Sequence, residues 1–115
     1  MSQQFVILEH DHPFLHWDFL LDNGDTLNTW RLLSPPTTDR WITAEVLPDH
    51  RRIYLEYEGE VSGGRGSVQR ILNGRYQELP NRNSSERHFT ITNCQFCQLA
   101  IQRSKQDGSS EWRFQ

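Results

Sequence analysis

Two histidines and an aspartate able to hold a metal fall within nine residues, in His10-Asp11-His12-Pro13-Phe14-Leu15-His16-Trp17-Asp18-Phe19-Leu20-Leu21. A neutral imidazole beside a carboxylate, with a second imidazole just upstream, suits a borderline divalent ion such as Mn, Zn, Fe or Ni. Such an ion polarises a bound oxygen and activates water, provided some coordination positions stay open. A solvated His–Asp pair on a half-buried strand has the same local sequence, so the rest of the chain must discriminate.

From His16 onward the stretch alternates. Trp17, Phe19 and Leu21 fall on one side of an extended strand, His16 and Asp18 on the other. Burial of the aromatic side fixes the register and sends both ligands to the opposite face. The alternation returns in His50-Arg51-Arg52-Ile53-Tyr54-Leu55-Glu56-Tyr57-Glu58-Gly59. There Ile53, Leu55 and Tyr57 make an apolar face, and His50, Arg52, Tyr54, Glu56 and Glu58 line the other. A strand over 51–58 offers His50 as a third ligand by spacing alone.

The elements that must position these residues read as an antiparallel β protein. Strands are predicted at 4–10, 16–22, 26–32, 41–47, 51–58, 66–72, 75–79, 87–92, 97–103 and 111–114. Asn23-Gly24, Asn73-Gly74 and Asp107-Gly108 supply hairpin signals between alternating runs. Ser34-Pro35-Pro36-Thr37-Thr38-Asp39 is a loop, because consecutive prolines cannot donate to a ladder. Pro80–Ser85 and Gln106–Ser110 are further polar breaks. No segment carries a helical period over twelve residues or more, so many short strands predict an all-β barrel or sandwich with little helix.

At 115 residues the chain is one domain, 1–115, with room for a single core. Mean hydropathy is −0.77, no apolar run approaches a membrane span, and Met1-Ser2-Gln3-Gln4 leads straight into a strand rather than a signal peptide. Cys94 and Cys97 cannot build a disulfide framework or a zinc knuckle; two reduced thiols on opposite strand faces, and a cytoplasmic location, are expected. Net charge is −3, but residues 1–50 carry 2 basic and 8 acidic side chains while residues 51–115 carry 10 and 7. All the basic residues except Lys105 are arginines, whose planar fork suits phosphate. Charge alone neither requires nor excludes a nucleic-acid substrate.

The ordered set of motifs resembles the 3′-phosphoesterase domain of bacterial non-homologous end-joining ligase D and its stand-alone relatives. The matching residues are His10-Asp11, Leu15-His16-Trp17-Asp18-Phe19, Gly24-Asp25-Thr26-Leu27-Asn28-Thr29-Trp30, Asp49-His50, Tyr54, Glu58-Gly59 and Val61-Ser62-Gly63-Gly64-Arg65-Gly66. The resemblance selects a compact β-barrel and implies that His10, His16 and Asp18 bind the metal, manganese being the one implied. It moves His50 from ligand to the phosphate side, together with Tyr54. It further implies removal of a 3′-phosphate, and often first of a terminal ribonucleotide, from DNA or RNA-tipped primer ends. End-joining ligase or polymerase proteins are the implied partners.

Around these motifs, Arg65 is a candidate phosphate clamp among glycines that equally suit a tight turn. His12 reads as a surface residue, Asp11 as a loop-fixing residue and Glu58-Gly59 as a strand end. The chain departs from the family pattern in two ways. Only nine residues precede His10, so the charged N-terminal arm is expected to be missing, and Leu20 stands where the family has an arginine. Arg52 stands where the family has an apolar residue, and strand alternation would put it on the face of His50 and Tyr54 as a replacement fork. A metal-retaining binding module without turnover, and an oxygenase-like site built from His16, Asp18 and His50, are the alternative readings.

Overall fold

The computed structural model describes residues 3–81 and 85–115. Met1 and Ser2 lie outside the described residues, as do Arg82, Asn83 and Ser84 of the break expected at Pro80–Ser85. The strands are β1 (Gln3–His10), β2 (His16–Asp22), β3 (Leu27–Leu32), β4 (Trp41–His50), β5 (Gly59–Glu60), β6 (Ser67–Leu79), β7 (Glu86–Thr92), β8 (Leu99–Ser104) and β9 (Ser110–Phe114). They are ordered β1-β2-β3-β4-β9-β8-β7-β6-β5, and a β1–β6 pairing closes eight of them into an antiparallel barrel. Closure leaves the barrel strands without a free edge. The expected all-β barrel is what the chain forms. Among the described residues, helix is confined to the 3-10 turn Arg52–Leu55.

The barrel interior is aromatic. Phe5, Phe19, Trp30, Phe89, Trp112 and Phe114 share one buried cluster, with the Phe19 ring edge-on to Trp112 at 4.6 Å. Each such ring removes roughly 150–250 Å² from water, so these side chains dominate the burial energy. Trp17 belongs to the same face, and its indole N–H donates to Glu9 Oε2 at 3.3 Å.

The outer face of β1, β2, β3 and β6 is not solvated. Val6, Leu8, Leu20, Leu27 and Val68 form a second buried cluster there, closed by Leu55 and packed by Tyr54, Tyr57 and Val61. The segment between β4 and β6 therefore folds over the outside of the barrel. Arg52 holds it down, donating from Nε and Nη2 to the two carboxylate oxygens of Asp22 at 3.0 and 2.9 Å.

Three sequence expectations are corrected. The strand expected at 51–58 is a 3-10 turn, because Leu55 must dip into the outer cluster. Asn73-Gly74 makes no hairpin: β6 runs unbroken through it, with a register shift against β1 between Ile7 and Leu8. Gly74 serves close approach instead, since a Cβ there would lie 2.7 Å from the Thr92 carbonyl oxygen and 2.8 Å from the Phe5 ring. Cys94 and Cys97 lie in a bend between β7 and β8, not on opposite faces of a strand. Both are free, and burial pushes the Cys97 thiol up to about 12. The turns at Asn23-Gly24 and Asp107-Gly108 do join β2 to β3 and β8 to β9, as expected. No helix among the described residues is long and apolar enough to cross a membrane.

Candidate metal centre and its cleft

His10 ends β1 and His16 begins β2, and the two are Cα partners across the antiparallel pair. Strand alternation puts both on the outer face, with Asp18 one step along opposite Leu8. One ligand atom from each of His10, His16 and Asp18 lies within 4.8 Å of the others. His16 and Asp18 are buried, at 1% and 2% exposure, while His10 is half-buried.

Backbone carbonyls orient both rings. His16 Nδ1 lies 2.8 Å from the Phe14 carbonyl oxygen, so that nitrogen carries the proton and Nε2 faces Asp18 Oδ1 at 3.2 Å. His10 Nε2 lies 2.8 Å from the Arg65 carbonyl oxygen, which leaves Nδ1 facing Asp18 Oδ2 at 3.6 Å. Outward N–H groups fixed in this way are how metal-binding imidazoles are held in one tautomer. Asp18 Oδ1 is buried with no hydrogen bond, since the His16 Nε2 that lies 3.2 Å away carries no proton in this tautomer. Burial opposes charge on His16, yet Asp18 and the Phe14 carbonyl outweigh it and raise the ring's pKa above the ordinary value. An environment that draws a proton also draws a metal cation. The donor set, the tautomers and the orphaned oxygen fit a divalent ion.

The loop carrying His10 is tied to β6. Asp11 Oδ1 accepts the Ser67 N–H at 2.8 Å, a bond that holds the Asp11 carboxyl below its usual range. Gly66 makes room for this contact: its φ is +74°, and a Cβ would fall 2.7 Å from the Cβ of His12 and into Asp11. The loop-fixing role expected of Asp11 matches this geometry. The Arg65 side chain is occupied on its own turn, donating from Nε to the Ser62 carbonyl at 2.7 Å and from Nη2 to Ser62 Oγ at 3.3 Å. Arg65 contributes a backbone carbonyl to His10, and among the described residues its guanidinium bonds Ser62.

His50 and Tyr54 line the same cleft as the cluster, a cavity of about 590 Å³. His50 ends β4, and its Nδ1 lies 3.1 Å from both Thr29 Oγ1 and the Pro48 carbonyl. The Thr29 hydroxyl donates to Leu27, so Nδ1–H is the donor and Nε2 is left for the cleft. The Tyr54 ring packs 5.8 Å from His50. Asp49, next in line, accepts from Thr26 at 2.7 Å and Asn28 at 3.3 Å and so ties β4 to the β2–β3 turn. His12 is exposed on the cleft wall and Glu58 is exposed beside β5.

Arg52 does not line the cleft; Asp22 holds its fork at the far end of β2. The face expected to bring Arg52 beside His50 and Tyr54 depended on a strand that the 3-10 turn replaces. His50 likewise joins no ligand cluster among the described residues, so the oxygenase-like triad of His16, Asp18 and His50 does not assemble. Arg31, which sequence reasoning passed over, does line the cleft. It is the Cα partner of Asp18 in β3.

Taken together, fold and site define an antiparallel barrel whose outer wall carries a two-histidine, one-carboxylate cluster that could hold a metal ion. Residues 8–108 match the family described as the DNA ligase D 3′-phosphoesterase domain, and the chain belongs to that family. Among curated proteins, none matches it.

Proposed function

We propose that this domain is a metal-dependent phosphoesterase acting on nucleic-acid 3′ ends, removing a 3′-phosphate and, where one is present, a terminal ribonucleotide. The observation that carries this reading is that two sets of side chains line one cleft: the donor atoms of His10, His16 and Asp18, and the side chains of His50 and Tyr54. Those three donors would hold the ion, manganese by family likeness. When bound, such an ion polarises a phosphoryl oxygen and lowers the pKa of a coordinated water.

The chain's own groups supply the rest. His50, with Nδ1–H fixed by Thr29 and Pro48, keeps Nε2 free for the cleft, and in its doubly protonated form that nitrogen would donate to a phosphate oxygen or protonate a leaving alkoxide. Tyr54 offers its hydroxyl to the same phosphate. The apolar floor of Leu8 and Val68 limits water beneath the reacting group and strengthens these polar contacts. DNA or RNA-tipped primer ends are the proposed partners.

The test is release of inorganic phosphate from a 3′-phosphate-ended primer–template with Mn²⁺, Zn²⁺ or Fe²⁺. The reading predicts Mn²⁺-supported release that a chelator stops and that His50→Ala cuts by about 10²-fold or more without loss of metal. A fully metal-loaded protein that releases no phosphate with any of the three ions would overturn it in favour of a binding module.

A further inference from the structure

The family arginine at the Leu20 position has no counterpart on that strand. Leu20 is fully buried in the outer cluster against Leu55 and its neighbours, so no cation can stand there without breaking that packing. The proposed replacement, Arg52, is spent on Asp22. Of the arginines lining the cleft, Arg65 is folded onto Ser62 and Arg51 is exposed. Arg31 differs from both. It is the Cα partner of Asp18 across the β2–β3 pair, and its side chain, 22% exposed, lines the cleft from the strand beside the ligands. Its Nε is buried with no hydrogen-bond partner. The nearest anion, Glu45, is half-exposed and stands 3.7 Å from Nη1, beyond hydrogen-bond range. The guanidinium carbon sits 5.2 Å from the centre of the Phe14 ring, which braces it from the loop side.

A buried guanidinium N–H without an acceptor is costly unless a ligand supplies one. We propose that Arg31 is the arginine that grips the phosphoryl oxygens in this cleft, replacing from β3 the fork that Leu20 cannot provide from β2. The inference rests on the phosphoesterase reading for its substrate, but the anion site it names exists independently of turnover. A planar fork aimed along one edge binds two oxygens of one phosphate, which a lysine at the same place would not.

The experiment measures inorganic phosphate binding to the Mn²⁺-loaded protein, by Mn²⁺-induced broadening of the phosphate ³¹P resonance, alongside metal content and thermal unfolding. Arg31→Ala should weaken phosphate binding about tenfold or more with full metal content, Arg31→Lys should recover only part of it, and Glu45→Gln should tighten it. Arg31→Lys keeps the charge and stem, so a loss seen there in a folded, metal-loaded protein cannot be ascribed to unfolding. Equal phosphate affinity in wild type, Arg31→Ala and Arg31→Lys would overturn the inference, as would a wild type that binds no phosphate. If phosphate binds and depends on Arg31 while no 3′-phosphate is hydrolysed, Arg31 stands and the phosphoesterase reading falls.

Discussion

The barrel interior and the covered outer wall are both buried, yet they are held together differently. Inside, aromatic rings from six strands pack against one another, and alternation alone decides which residues point inward. Outside, a small aliphatic floor is roofed by residues 51–66, and specific polar ties fix that roof and the loop after His10 beside it: Arg52 on Asp22, Asp11 on Ser67, and His10 on the Arg65 carbonyl. The first region stores stability, the second stores geometry. Substitutions should therefore separate into those that unfold the protein and those that spoil the site while leaving the barrel standing.

The largest effect belongs to the interior. Trp112 is fully buried and touches Phe19, Trp30 and Phe89 within 4.6–5.4 Å between ring centres. Trp112→Ala should cost about 3–5 kcal/mol in denaturant unfolding. Metal affinity of the folded fraction should be unchanged, because the ring lies on the opposite side of β2 from Asp18. A stability loss below about 1 kcal/mol would mean that the aromatic cluster does not carry the barrel.

Gly66→Ala should produce the converse. Its Cβ collides with Asp11 and its φ of +74° is unfavourable for alanine, so the turn presenting the Arg65 carbonyl to His10 must shift. Metal affinity should fall by about 10–100-fold, the usual consequence of losing an outer hydrogen-bond partner of a ligand, with a much smaller change in unfolding. Isothermal titration with Mn²⁺ beside thermal unfolding checks both halves. An unchanged affinity would show that the carbonyl does not orient His10.

The smallest effect concerns the roof. The Arg52 fork holds the Asp22 carboxyl below its ordinary pKa, so this contribution is present above about pH 4 and fades as pH falls through the lowered folded value. Arg52→Ala should speed amide exchange at Tyr54, Glu56 and Tyr57, whose N–H groups bond Arg51 and Ile53, by up to about tenfold. The acid-induced loosening of the same amides should vanish in that variant. Persistence of the pH response in Arg52→Ala would place its origin elsewhere.

The same contrast explains what was legible in the sequence. Trp17, Phe19 and Leu21 against His16 and Asp18 announce their faces, because a strand with an aromatic side has one register. The outer ligands follow directly. The roof is another matter: Ile53, Leu55 and Tyr57 alternate like a strand, but Leu55 has no strand to pair with and a cluster to fill, so tertiary burial overrides the pattern. Asn73-Gly74 has turn chemistry, yet its glycine answers a close approach by β7 and Phe5 that local sequence does not reveal. The carbonyls of Phe14 and Arg65 that aim the imidazoles are backbone atoms and carry no residue signature. Arg31 was within reach: any hairpin about Asn23-Gly24 that pairs Asp18 directly with an odd-numbered residue of β3 puts Arg31 on the ligand face.

We propose that the outer wall, not the interior, holds a cation, on His10, His16 and Asp18. Titration of wild type and His16→Ala with Mn²⁺, followed by elemental analysis after desalting, tests it most directly. One ion per wild-type chain is predicted, with at least a tenfold (about 1.4 kcal/mol) loss of affinity in His16→Ala and an unfolding midpoint close to that of wild type. Full metal occupancy with unchanged affinity in His16→Ala would contradict the account.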